Sequence, residues 1–277
     1  KGKRLGFRKH LGLKLFKGLY DGVVERHELR TLFWECTLRC NLKCRHCGSD
    51  CRVDVSERDM PLEDFLKVLD EEVTPHVDPK KVLIIFSGGE VLVRKDLEEA
   101  GREVTKRGYM WGMVTNGMSL TRERLRGLVD AGLRSVSVSF DGFEDEHNYI
   151  RQNPESFARA RKAIANIRAV KGLTYDVITC ATPAMMSRLD EWKEFLISEG
   201  ITHWRIFSVF PAGRAKRDET LHLNPEQFRM LMEFIRKTRK EGRIKLNYAC
   251  EGFLGGYETE VRDHFYMCTA GVTVASI

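Results

Sequence analysis

Val82-Leu83-Ile84-Ile85-Phe86-Ser87-Gly88-Gly89-Glu90 passes from five apolar residues through one serine into two glycines and an acid. A short continuous apolar run bounded by glycine reads as a strand, Lys81 to Ser87, covered on both faces. The glycines let the backbone approach a ligand closely, and the acid is placed to bind a cation. A strand of that kind needs parallel neighbours.

The flanking sequence supplies them. Thr31 to Thr37 reads as a strand and Met60 to Val73 as a helix, with Asp59 as its cap and Pro61 in its first turn. Beyond Glu90 the pattern predicts helix Lys95 to Arg107, strand Tyr109 to Thr115, helix Thr121 to Ala131 and strand Ser135 to Phe140. Helix Pro154 to Val170, strand Thr174 to Ala181, helix Leu189 to Glu199 and strand His203 to Val209 follow, and Asn224 to Lys240 completes six strand–helix units. Strict alternation implies parallel strands, right-handed crossovers and outer helices, in an α/β fold. An open doubly wound sheet and a barrel both satisfy it. In either, the active site lies at the carboxyl ends of the strands.

The first strand leads into Cys40-Asn41-Leu42-Lys43-Cys44-Arg45-His46-Cys47, three thiols within eight residues. They can turn toward one point only around something shared. Thiolates suit zinc or an iron–sulfur cluster, and three rather than four leave one coordination position open. A zinc site completed by His46 or Cys51 competes with a cluster on spacing alone.

Composition sets the frame. At 277 residues, 42% hydrophobic and 31% charged, the chain can bury a full core, and no run approaches the ~18 apolar residues of a membrane span. The net charge of +6 owes much to Lys1, Lys3, Arg4, Arg8, Lys9, Lys14 and Lys17, and the remainder is nearly balanced, so nucleic acid is not expected as a partner. These residues, interleaved with Leu5, Phe7, Leu11, Leu13, Leu15, Phe16, Leu19 and Tyr20, are loosely compatible with a basic amphipathic helix, weakened by four glycines. It reads either as a surface for an acidic partner, peptide or membrane face, or as a solvated extension packed on the domain. Eight cysteines without a signal peptide argue for a reducing cytosol, where clustered thiols mean metal or catalysis. A start without methionine and an apolar, strand-like end suggest that one or both ends continue.

Each strand is followed by a polar loop. After Ser87 come Gly88, Gly89 and Glu90; after the third strand, Thr115-Asn116-Gly117; the fourth carries Ser137 and Ser139 into Asp141-Gly142, with His147 and Arg151 beyond. Singly each is a common turn. Together, at one end of successive strands beside three thiols, they describe one polar pocket.

This pattern resembles the radical S-adenosylmethionine (radical SAM) superfamily. Cys40-x3-Cys44-x2-Cys47 is similar to its cluster motif and Ser87 to Glu90 to its second-strand motif. Thr115 to Gly117, Ser137 to Gly142 and Phe210-Pro211-Ala212-Gly213-Arg214-Ala215 match later segments, so the likeness spans about Thr31 to Ala215. It implies a partial (β/α)6 TIM-like barrel over residues 31–242. It also implies a [4Fe-4S] cluster on Cys40, Cys44 and Cys47, with S-adenosylmethionine chelated at the open iron. His46 would flank the adenine, and Gly88, Gly89 and Glu90 would receive the methionine ammonium. Asn116 would join the cofactor pocket, and Arg151 with Ser137 or Ser139 would meet the carboxylate. An external flavodoxin- or ferredoxin-like donor would supply the electron.

Cys36 and Cys180 read as buried small apolar residues and Cys51 as a free thiol. Cys250 and Cys268, in residues 243–277, resemble the opening of a SPASM or twitch extension with auxiliary iron–sulfur clusters, while residues 1–30 form the basic extension. The resemblance implies an enzyme that oxidises, crosslinks or epimerises a peptide or protein in the cytoplasm. A small-molecule substrate, such as a tetrapyrrole side chain or a sugar, is the second reading. A non-catalytic zinc or cluster module is the third, and it leaves the Gly88-Gly89-Glu90 loop unexplained.

Overall fold

The computed structural model describes residues 6–249 and 252–277. Helix α1 (Phe7–Arg26) precedes strand β1 (Thr31–Thr37), and helix α2 (Leu62–Val68) leads to β2 (Leu83–Gly88). Then come α3 (Leu97–Lys106), β3 (Met110–Thr115), α4 (Arg122–Asp130), β4 (Leu133–Ser139), α5 (Glu144–Arg151), α6 (Ser156–Arg168) and β5 (Thr174–Ala181). Helix α7 (Leu189–Ser198), β6 (His203–Ser208), α8 (Pro225–Glu241), β7 (Lys245–Tyr248) and β8 (Val274–Ser276) complete the order.

Among the described residues, eight strands form one parallel sheet in the order β7-β6-β5-β4-β3-β2-β1-β8. From β1 to β7 the order never reverses. Right-handed crossovers taken always in one direction put every crossover helix on the same face, so the doubly wound alternative falls away. The sheet is barrel-like, with one face covered and the other concave.

Side chains on the covered face form the core. Trp34 stacks on Phe65 at 3.9 Å and meets Phe86 edge-on at 5.1 Å, and Phe86 stacks on Trp111 at 4.8 Å. Val138, Val177 and Trp204 continue this layer at 0–1% exposure. The concave face alternates with it and carries Glu35, Ser87, Ser139, Asp176 and Arg205, none of them buried. Leu83 and Ile85 also face inward and are half-buried, so β2 is fully covered on its helix side only.

Three expectations change in detail. The helix predicted over residues 60–73 is α-helical only to Val68 and ends in a π turn, Leu69–Val73. Asp59 does not cap it; its carboxylate accepts from Thr37 Oγ1 at 2.7 Å and pairs with Arg39. The segment read as a loop before residue 154 holds α5, whose first turn concentrates Glu144, Asp145 and Glu146 at the positive end of the helix dipole. Residues 243–277 contribute a strand to each edge of the sheet: β7 against β6 and β8 against β1.

Candidate cofactor site

The three thiols sit at the carboxyl end of β1, where the loop is pinned on several sides. Cys40 N donates to Arg52 O at 2.9 Å and Arg45 N to Ile150 O at 2.8 Å. From β2, Gly89 N donates to Thr37 O at 2.7 Å and Glu90 N to Arg39 O at 2.9 Å. These contacts explain the glycines. Gly88 has φ 120°, and a Cβ there would lie 2.3 Å from Thr37 O; a Cβ on Gly89 would lie 2.2 Å from Arg39 O. Close backbone packing against the cysteine loop requires glycine at both, and both also line the cavity in front of the thiols.

Segment 210–215 closes the loop from the other side. Arg214 Nε donates to Cys44 O at 2.7 Å, while its Nη1 reaches Asp50 Oδ1 at 2.8 Å and Cys51 O at 2.9 Å. Arg214 was part of the sequence likeness but carried no assigned role. Its function as a strap depends on contacts about 165 residues away in the chain, which no local pattern encodes.

Cys40, Cys44, Cys47 and Cys51 line a cavity of about 240 Å³ together with His46, Asn116, Ser139 and Arg151. Burial pushes the Cys40 thiol up to about 11 and raises Cys44 too, against the pull of Arg151. Donors nevertheless face the sulfurs: Leu42 N lies 3.4 Å from Cys40 Sγ and Arg151 Nη1 3.6 Å from Cys44 Sγ. Cys40 and Cys44, buried and each facing an N–H donor, fit sulfur ligands whose charge iron would compensate.

Among the described residues, one group of three ligand atoms lies within 4.8 Å of one another, that of His46, Asp141 and Cys180. The His46, Asp141 and Cys180 set is itself occupied by a cation, since Asp141 Oδ2 accepts from Arg151 Nε at 2.8 Å and also from Nη2. Cys180 therefore faces the polar mouth of the barrel rather than the apolar core.

The remaining candidates divide. Asn116 bridges the β3 turn to the cysteine loop, with Nδ2 2.8 Å from Asn41 Oδ1 and 3.9 Å from Cys40 Sγ. Ser139 lines the cavity. Ser137 does not. One pleat deeper on the same face, its hydroxyl donates to Asp176 Oδ1 at 2.7 Å and accepts from Arg205 Nη2 at 2.8 Å. Glu90 also lies outside the cavity lining. Its buried carboxylate accepts from Thr115 Oγ1 at 2.7 Å, Asn116 N at 2.7 Å and Leu92 N at 3.2 Å. Burial raises its pKa despite those donors. A carboxylate sealed in the wall must be paired, and the β3 turn supplies the pairing.

Arg151 reaches the site but is already held by Asp141. Burial works against both charges; the pair wins, raising Arg151 and leaving Asp141 at about 2, where His46, His147 and the Cys180 N–H assist. His46 is pushed down to about 4, by burial first and Arg151 second, with its Nδ1 buried and unpaired. Asp141 belongs to the polar pocket and to the fourth-strand segment of the sequence likeness without an assigned role; its tie to Arg151, ten residues on, is visible only in the structure.

Cys36 is fully buried with its thiol 3.4 Å from Ser87 O, as a structural cysteine should be. Cys51 lines the cavity with its thiol 3.9 Å from Ser49 O, and its proximity lowers the Cys47 pKa. Cys268 is exposed, and Cys250 lies outside the described residues.

Residues 34–196 match the family described as the Radical SAM superfamily. An AdoMet-dependent heme synthase of Methanosarcina barkeri is 28% identical over 222 residues, 80% of this chain and 62% of that protein. A PqqA peptide cyclase of Bradyrhizobium diazoefficiens is 38% identical over 111 residues, 40% of this chain and 28% of that protein. Among solved structures, Streptococcus suis SuiB bound to precursor peptide SuiA superposes with a TM-score of 0.66 at 14% identity, covering 91% of this chain and 56% of SuiB. This chain spans less than two thirds of the length of each of these proteins.

Proposed function

Because the chain belongs to the radical SAM superfamily, with a [4Fe-4S] cluster and S-adenosylmethionine as its cofactors, we propose that it modifies a peptide or protein substrate. When bound, the cluster and cofactor supply a 5′-deoxyadenosyl radical that removes a hydrogen atom from the substrate. An external flavodoxin- or ferredoxin-like protein delivers the electron. Cys40, Cys44 and Cys47 hold the cluster. Asn116 and the backbone of Gly88 and Gly89 shape the cofactor pocket, with Ser139 and Arg151 facing its carboxylate and His46 its adenine. Asp141 orients Arg151, and Glu90 fixes the β3 turn from behind. The barrel wall keeps water from the reacting atoms.

The concave face carries the substrate reading. Below the thiol-lined cavity it presents carboxylate, hydroxyl and guanidinium groups on neighbouring strands, with Ser137 in register with Asp176 and Arg205 bonded to both. Donors and acceptors of both signs suit an amide backbone. The peptide cyclase relative, 38% identical, supports the same reading. A tetrapyrrole side chain is the second reading, supported by the heme synthase relative that covers 80% of this chain. Exposed Cys268 remains a candidate auxiliary-cluster ligand.

The deciding experiment is anaerobic reconstitution followed by turnover with deuterated substrate. The proposal expects deuterium to appear in 5′-deoxyadenosine from a short peptide encoded beside the gene. Transfer only from a porphyrin propionate would establish the second reading. Bound zinc with no cofactor cleavage would remove both.

A further inference from the structure

Helix α1 is apolar on two opposite faces, and the domain uses only one. On the inner face, Phe16 packs on Phe265 at 5.4 Å and Gly12 lies against the same ring, while Lys9 Nζ bonds Glu260 Oε1 at 2.9 Å and Gly256 O at 2.8 Å. On the outer face, Phe7, Leu11, Leu15 and Leu19 recur every four residues at 81%, 47%, 65% and 71% exposure. That spacing sets them in one continuous stripe. A surface helix normally turns a polar face to water, and four large apolar side chains in line are an unpaid hydration cost.

Charge selects the occupant. The first twenty residues contain seven Lys and Arg and no Asp or Glu; within α1, Lys9 pairs with Glu260 and Lys17 with Asp21, which leaves Arg8 and Lys14 as the cations of this face. Arg8 and Lys14 lie exposed beside the stripe. A second copy would bring like charge against like charge across this face. An anionic surface that also accepts leucine and phenylalanine meets both features, and no helix of the described residues is long and apolar enough to cross a membrane. We propose that the outer face of α1 docks the protein on an anionic lipid bilayer, lying in the interface with Phe7, Leu11, Leu15 and Leu19 in the acyl boundary and the basic residues at the headgroups.

Sedimentation of the reconstituted protein with vesicles tests this. Binding is expected to vesicles of phosphatidylcholine with phosphatidylserine, to weaken with salt, and to be absent or far weaker on phosphatidylcholine alone. Leu11→Gln with Leu15→Gln, and separately Arg8→Glu with Lys14→Glu, should each lower affinity for anionic vesicles by about tenfold or more. Thermal midpoint and cluster absorbance should stay unchanged in both variants, because the substituted side chains are exposed. No binding to either vesicle, equal binding to both, or binding that survives both variants overturns the proposal. So does loss of self-association in the leucine variant measured without lipid, which would assign the face to a second copy. Binding of an acidic protein in place of vesicles would overturn it equally.

Discussion

Arg151 donates to the Asp141 carboxylate through Nε and Nη2 and holds its third nitrogen, Nη1, 3.6 Å from Cys44 Sγ. One guanidinium thus links the end of β4 to a thiol of the cysteine loop. Its orientation depends on the carboxylate as much as on its own helix.

Asp141→Asn should leave Arg151 buried without its counter-charge. Breaking such a pair costs about 3–5 kcal/mol, and urea unfolding of the cluster-free protein should register it. Arg151→Lys keeps a charge but loses the planar fork. It should retain iron while weakening S-adenosylmethionine binding, measured by equilibrium dialysis, by about tenfold or more. Unchanged cofactor affinity would remove Arg151 from the pocket.

His147 makes the fold sensitive to acid. Its Nδ1 accepts from Asp141 N at 2.9 Å and its Nε2 meets Ser156 Oγ at 3.0 Å, so the neutral ring is satisfied and a proton on Nδ1 would face a donor. Burial, opposed by Asp141, holds its pKa down at about 3 against an unfolded value of 6.5. Between those values the unfolded chain binds a proton that the folded one refuses, so stability is present above pH 6.5 and falls as pH drops toward 3. The slope contributed is about 1.4 kcal/mol per pH unit. His147→Gln should flatten it in urea titrations across this range; an unchanged slope would show that another group dominates.

Gly89→Ala should drive a methyl group into Arg39 O, 2.2 Å away. The backbone contact between β2 and the cysteine loop must then open. A loss of about 1–3 kcal/mol in stability and lower iron content after reconstitution are expected, read by urea unfolding and iron assay.

The four loop thiols should divide three to one. Alanine at Cys40, Cys44 or Cys47 should abolish the cluster's visible absorption, whereas Cys51→Ala should keep it, since Cys51 lies outside the Cys40-x3-Cys44-x2-Cys47 motif although it lines the same cavity. Loss of absorption in the Cys51 variant would make it a ligand.

Arg214→Ala removes three bonds to the loop, at Cys44 O, Asp50 Oδ1 and Cys51 O. The ligands remain, but the backbone that aims them loosens. Iron should transfer to a chelator about ten times faster or more, followed by absorbance under anaerobic conditions.

The sequence by itself determined the strand–helix alternation, the position of the thiols after β1 and the polar ends of β2 to β4. These features are local: the two-residue strand period, the helical period and short-range cysteine spacing are written in adjacent residues. Only the tertiary structure decided the rest, because it depends on which strand lies beside which. The unreversed order β1 to β7 turned an ambiguous α/β pattern into a barrel-like sheet with a concave face. The same pairing separated Ser139 at the cavity from Ser137 beside Asp176, though both serines point the same way from one strand. Glu90 sits in the wall because a buried carboxylate goes where donors are, and those come from Thr115, Asn116 and Leu92. Gly88 and Gly89 kept their place in the cavity but owe their small size to the backbone of the cysteine loop passing behind them.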